Sequence, residues 1–105
     1  MANTTLIGAI TDALRIALQQ DERVIILGED VGKNGGVFRA TEGLQEEFGE
    51  TRVMDTPLAE AAIIGASIGL AVNGMIPIAE IQFLAFAYPA YEQLVSHVSR
   101  IRRRS

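Results

Sequence analysis

The chain has 105 residues, a formal net charge of −4 and no cysteine. That length holds at most one domain, the missing cysteines exclude a disulfide framework and cysteine-ligated metal, and the acidic balance argues against a nucleic-acid binder. With 49% hydrophobic and 21% charged residues, the composition is that of an ordinary globular protein rather than a disordered one.

Met1-Ala2-Asn3-Thr4-Thr5 carries no basic segment and no long apolar run behind it, so neither a secretory signal nor a transit peptide is read there, and a cytoplasmic location is the default. Over residues 5–20 the apolar side chains of Leu6, Ile10, Ala13, Leu14 and Ala17 recur at helical spacing, with Thr4 or Thr5 available as the cap. Asp21-Glu22-Arg23 breaks that helix. Val24-Ile25-Ile26-Leu27 is a continuous apolar run of the kind that forms a strand buried on both faces, and Gly28-Glu29-Asp30 ends it. Val31-Gly32-Lys33-Asn34-Gly35-Gly36 reads as a flexible loop whose glycines lack the spacing of a phosphate-binding fingerprint. Residues 41–48 read as a short helix, with Thr41 as its cap, Leu44 and Phe48 on one face and Gly49 just past its end.

A second strand, Arg52-Val53-Met54, leads into Asp55-Thr56-Pro57-Leu58-Ala59-Glu60 and then into an apolar helix that runs to about Asn73 and stops at Gly74. Glu60 sits at the mouth of this buried helix, near the positive end of the helix dipole, where negative charge is favourable. It is still costly to desolvate and needs a partner. Two readings of Glu60 stand open: a first-turn acid that caps its own helix, or a carboxylate held in a dry pocket to bond one donor of a ligand. Gly65 and Gly69 share a face of the helix and let another backbone come close, in the core or at a subunit interface; the apolar run is too short to span a bilayer, which takes about 20 residues. Met75-Ile76-Pro77-Ile78-Ala79-Glu80-Ile81 reads as a third strand, with Pro77 near its start and Glu80 either paired or on an exposed end. Residues 82–87 form a loop with two aromatics, Phe83 and Phe86, and a last helix opens near Pro89 with Tyr88, Tyr91, Leu94, Val95 and Val98 along one side. The arginines Arg100, Arg102, Arg103 and Arg104 suit the end of such a helix.

Helix and strand alternate with short connections, which predicts an α/β fold: a parallel sheet with helices on both faces. Ligands bind such sheets beyond the carboxyl ends of the strands. Glu29, Glu60 and the 83–86 loop each follow a predicted strand end, so three segments converge on one rim. The sole histidine, His97, has no placed partner for catalysis, and no group of His, Asp and Glu has metal-ligand spacing. Chemistry at this rim must therefore be carried by a cofactor or completed by another chain.

Gly28-Glu29-Asp30-Val31-Gly32, the run from Gly35 through Gly36-Val37-Phe38-Arg39-Ala40-Thr41-Glu42-Gly43 to Leu44, Asp55-Thr56-Pro57-Leu58-Ala59-Glu60, and Pro77-Ile78-Ala79-Glu80-Ile81-Gln82-Phe83 closely resemble the β subunits of the thiamin-diphosphate-dependent 2-oxo acid dehydrogenases. The wording is nearest to the bacterial pyruvate dehydrogenases. The resemblance covers the whole chain but only part of the family's subunit, so residues 1–105 are expected to be the N-terminal part of its transketolase-like pyrimidine-binding domain, a fragment or truncated product. It implies that Glu60 bonds the ring nitrogen of the cofactor's aminopyrimidine. That bond favours the imino tautomer, which takes the proton from the thiazolium carbon before attack on the 2-oxo acid. The resemblance also implies that Phe86 packs on the aminopyrimidine, that Leu58 and Glu29 belong to the cofactor site, and that Glu29 and Glu92 line an acidic channel between paired sites.

Two departures stand out: Glu92 replaces the family's usual aspartate, and Ala62 its usual glycine. Magnesium and the diphosphate are expected on a partner α subunit, through a Gly-Asp-Gly motif that this chain lacks. A second β subunit and a lipoyl-bearing acyltransferase complete the implied partners, with no nucleic acid and no membrane. The alternatives are a branched-chain 2-oxo acid or acetoin dehydrogenase β subunit, and a catalytically inert interaction module that keeps the Gly65 and Gly69 face.

Overall fold

The structure, a computed structural model, describes residues 5–57, 59–82 and 97–99. Helix α1 spans Leu6–Gln20 and opens on Thr5, whose hydroxyl accepts the Gly8 N–H at 2.9 Å. Strand β1, Val24–Glu29, is buried along its whole length. It runs two residues beyond the expected end, because Gly28 and Glu29 still pair with neighbouring strands on their rungs.

Helix α2 is shorter than expected, Leu44–Phe48, and starts from Gly43 rather than Thr41. Thr41 is buried, and its hydroxyl donates to the Val31 carbonyl at 2.6 Å, so it fastens the preceding loop instead of capping the helix. That loop is not free either. Val31, Gly32, Gly35 and Gly36 are all buried, and the Thr11 hydroxyl of α1 holds its far end through the Ala40 carbonyl at 2.7 Å.

Strand β2 is Val53–Thr56, helix α3 Glu60–Val72 and strand β3 Ile76–Glu80. The sheet is parallel and three-stranded, in the order β2-β1-β3. The path from β1 to β2 moves one way across the sheet and the path from β2 to β3 moves back past β1. Right-handed crossovers in opposite directions place their helices on opposite faces, so the α/β expectation holds. Side-chain parity agrees: Val24, Ile26 and Val53 form one core with Leu18 of α1, Val31 and Leu44 of α2. Ile25 and Leu27 point to the other face, which α3 covers with Ile63 and Ile64.

Helix α3 is apolar around its whole circumference yet buries fully only Ile63 and Ile64, and Val72 is 67% exposed. It is therefore less buried than its composition suggests. Within this chain a Cβ at Gly69 would meet nothing within 4 Å, so no close backbone approach is made there among the described residues. The expected aromatic loop and final helix fall largely outside the described residues. No helix among the described residues is long and apolar enough to cross a membrane.

Arg52, just ahead of β2, joins distant parts of this fold. Its Nη2 donates to the carbonyls of Leu18 at 2.8 Å and Asp21 at 2.9 Å, and its guanidinium lies 5.6 Å from the Phe48 ring centre. A cation on the last carbonyls of a helix satisfies acceptors that have no intrahelical donor. Hydrogen bonds to charged groups contribute about 1.5–3 kcal/mol. Arg52→Met is expected to cost about 2 kcal/mol and to lower Tm by roughly 8–16 °C for a domain of this size, measured by thermal denaturation followed by circular dichroism.

Candidate functional site

The β2-β1-β3 order puts the reversal of the chain path between β1 and β3. A crevice opens at such a point beyond the carboxyl ends of the strands, because the flanking connections leave to opposite faces. Glu29 ends β1, Glu80 ends β3 and Glu60 opens α3. The rim is therefore acidic, and sheet parity sorts its side chains to two sides. Asp55 and Glu80 both pair with Gly28, so they share a face with the α1 core; Glu29, paired with Thr56, points to the α3 side.

Gly28 makes this rim possible. A Cβ there would lie 2.9 Å from both the Glu80 carbonyl oxygen and Val31 Cγ1. With no side chain, β3 and the loop close over β1 without a gap.

Glu29 is 3% exposed, and neither of its carboxyl oxygens has a hydrogen-bond partner. Burial pushes its carboxyl up to about 7; the adjoining Glu60 carboxyl adds to the rise, and the charges of Asp30 and Glu80 push the same way. Among the described residues no side-chain hydrogen bond caps α3, whose flanking residue is Ala59, and Glu60 is the neighbour with the largest effect on Glu29 after burial itself. With its carboxyl pushed up to about 7, Glu29 holds a proton near neutrality, so the site can both accept a hydrogen bond from a ligand donor and give one to a basic nitrogen.

Glu80 is neither on an exposed end nor paired. Its Oε2 is buried without a partner, its carboxylate lies against Gly36, and burial pushes its carboxyl up. Leu58, Phe86 and Glu92, the other residues expected at the site, lie outside the described residues. His97 is half-buried and belongs to the short described stretch 97–99, away from the named rim elements in sequence. An open cleft of about 760 Å³ lies elsewhere, lined by Lys33, Gln45, Glu50, Met54 and Asp55, and includes neither member of the carboxyl pair.

Sequence reasoning missed Asp55. Its Oδ1 accepts the Gly32 N–H at 2.7 Å and its Oδ2 the Lys33 N–H at 3.2 Å. Part of the signal was available: two residues after buried Val53, Asp55 points to the same sheet face, although its side chain is exposed.

A carboxyl raised by burial makes the folded state hold a proton that the unfolded chain has already lost. Between pH 4.5 and about 7 the folded state therefore binds more protons, and stability falls as pH rises through that window. Glu29→Gln, which cannot ionise, is expected to raise stability at pH 8 by about 1 kcal/mol, roughly 4–8 °C in Tm, and to change it little at pH 4.5. Thermal melts of the two proteins across pH check this, and an unchanged difference between pH 4.5 and pH 8 would contradict it.

The family described as "Transketolase, pyrimidine binding domain" matches residues 3–105. Over 105 residues the chain is 58% identical to the pyruvate dehydrogenase E1 component subunit beta of Bacillus subtilis, 56% to that of Staphylococcus epidermidis and 54% to that of Acholeplasma laidlawii. Each alignment takes in 100% of this chain and 32% of the relative, so the chain spans about a third of the length of the curated relatives it matches.

Proposed function

The chain belongs to the transketolase pyrimidine-binding domain family, and we propose that its Glu29–Glu60 pair binds the aminopyrimidine ring of thiamin diphosphate in a pyruvate dehydrogenase. The observation that carries this reading is the pair itself: a fully buried carboxyl with both oxygens unpartnered, against a second carboxyl at a helix N-terminus. Orphaned buried acceptors are costly to leave unpaired. A flat heterocycle with ring nitrogens and an exocyclic amine would supply the partners they lack.

Bound thiamin diphosphate supplies the carbanion chemistry that splits carbon dioxide from a 2-oxo acid. This chain's own part is to hold and move protons. Glu60 takes part in the ring-nitrogen bond, and Glu29, buried beside it with its carboxyl pushed up to about 7, holds a proton near neutral pH. Phe86 and Leu58 complete the pyrimidine contacts in this reading, and Glu92 with Glu29 lines the route toward a second site. Magnesium and the diphosphate are assigned to a partner α subunit. A second β subunit, a lipoyl-bearing acyltransferase that takes the acyl group, and a cytoplasmic location belong to the same proposal.

Pyruvate is preferred over branched-chain 2-oxo acids or acetoin because the relatives at 54–58% identity are named for pyruvate. The exposed apolar side of α3, with Val72 at 67% exposure, favours a packing role as well: it is the face this chain would offer to another subunit.

In an assembly completed with a cognate α subunit, Glu60→Gln is expected to lower decarboxylation by at least about 10²-fold, the scale of losing a placed acid or base, while leaving co-elution in size-exclusion chromatography with light scattering unchanged. The assay is decarboxylation of pyruvate on the same fractions, with and without thiamin diphosphate and magnesium. Normal turnover by the Glu60→Gln assembly would remove the assigned role.

A further inference from the structure

Asp55 spends both carboxylate oxygens on backbone N–H groups of the β1–α2 loop, Gly32 at 2.7 Å and Lys33 at 3.2 Å. We propose that Asp55 is a positioning residue for the Glu29–Glu60 pair, a clip across the ends of β1 and β2 on the sheet face opposite the pair. The proposal rests on the reading of that pair as the pyrimidine-binding site.

The clip closes a ring. Glu29 leads to Gly32 along the chain, Gly32 bonds Asp55, Asp55 leads to Glu60 along the chain, and Glu60 adjoins Glu29. Among the described residues, the charged groups that act on Glu29 are all acidic: Glu60, Asp30 and Glu80. Whenever Glu29 and a neighbour are both ionised they repel, so the pair opens unless the strand ends are held. The rungs Gly28 to Asp55 and Glu29 to Thr56 are the last of the β1–β2 ladder, where pairing is weakest. Asp55 sits on the first of these rungs and bonds residues beyond the second.

The other side of the clip is built to match. A Cβ on Gly32 would lie 2.2 Å from Gln45 Nε2 and 2.8 Å from Asp55 Oδ2. Gln45 cannot easily move aside, because the same Nε2 donates to the Val53 carbonyl at 2.9 Å. A side chain on residue 32 would press on both Gln45 and Asp55, the two side chains that hold this corner.

The test is a ¹³C carboxyl NMR titration of Glu29 in the full chain, with amide exchange at Gly32 and Lys33 on the same samples. The wild-type midpoint is expected near 7. Asp55→Ala is expected to lower it by about one pH unit or more toward the ordinary glutamate range, with faster exchange at both amides. Asp55→Asn removes the same charge but keeps an acceptor oxygen for Gly32, and is expected to move the midpoint by less than half as much. Gly32→Ala keeps the charge and breaks the bond, and is expected to behave like Asp55→Ala. Should Asp55→Ala not fold, the contrast between Asp55→Asn and Gly32→Ala carries the test. A midpoint that stays put in folded Asp55→Ala or Gly32→Ala overturns the clip. Equal shifts in Asp55→Asn and Asp55→Ala do so too, since they would show an effect of charge alone. None of these readouts involves thiamin diphosphate, so their failure leaves the cofactor reading standing, whereas an active Glu60→Gln assembly removes that reading without touching the clip.

Discussion

Glu29 is the last residue of a central strand whose every residue is buried, and that placement constrains everything around it. Burying a carboxylate without a partner is costly enough that the group keeps its proton instead. The rim therefore carries a protonatable group at neutral pH because of where the strand ends. Glu60, delivered by a separate crossover, opens its helix beside that group. The instability stored in Glu29 is of the kind that functional sites retain and that a bound ligand relieves.

Strand β2 shows how so small a sheet keeps that geometry. It has only four residues, too few to hold a register by pairing alone, and a side chain crosses to a neighbour at each end. Arg52 ties its start to the end of α1, and Asp55 ties its end to the loop after β1. Both bond backbone rather than other side chains, so they fix chain path. Between them the hydrophobic layer of Leu18, Ile26, Leu44 and Val53 supplies the non-directional part of the stability. Packing holds β2 against β1, and the two polar ties decide where along β1 it stops.

The elements that could be read in advance are those whose cause is local. Thr5 caps α1 because a hydroxyl one residue ahead of an amphipathic run meets the free N–H groups of the first turn. Val24 to Leu27 read as a buried strand and form one, and Pro77 near the start of β3 lies where its missing N–H is tolerated. Thr41 shows the limit of such reasoning. Its hydroxyl suits a helix cap by sequence, but a buried carbonyl at Val31, ten residues back, claims it. Gly28 and Gly32 looked like loop punctuation and turned out to be contact points, since what surrounds a missing side chain is decided by strands far away in sequence.

The order of elements, the parallel α/β class and the candidacy of Glu29 and Glu60 for a common rim were settled by the sequence by itself. Hydrophobic runs, breakers and helix-end preferences depend only on near neighbours. Only the tertiary structure decided that Glu29 is fully buried at its strand end, that Thr41 serves the loop rather than a helix cap, and that Asp55 is spent on the Gly32 and Lys33 amides. The reason is that burial and pairing are properties of a place, not of a residue. Whether a carboxyl loses its water depends on which strands lie beside it, and that follows from the β2-β1-β3 order in space.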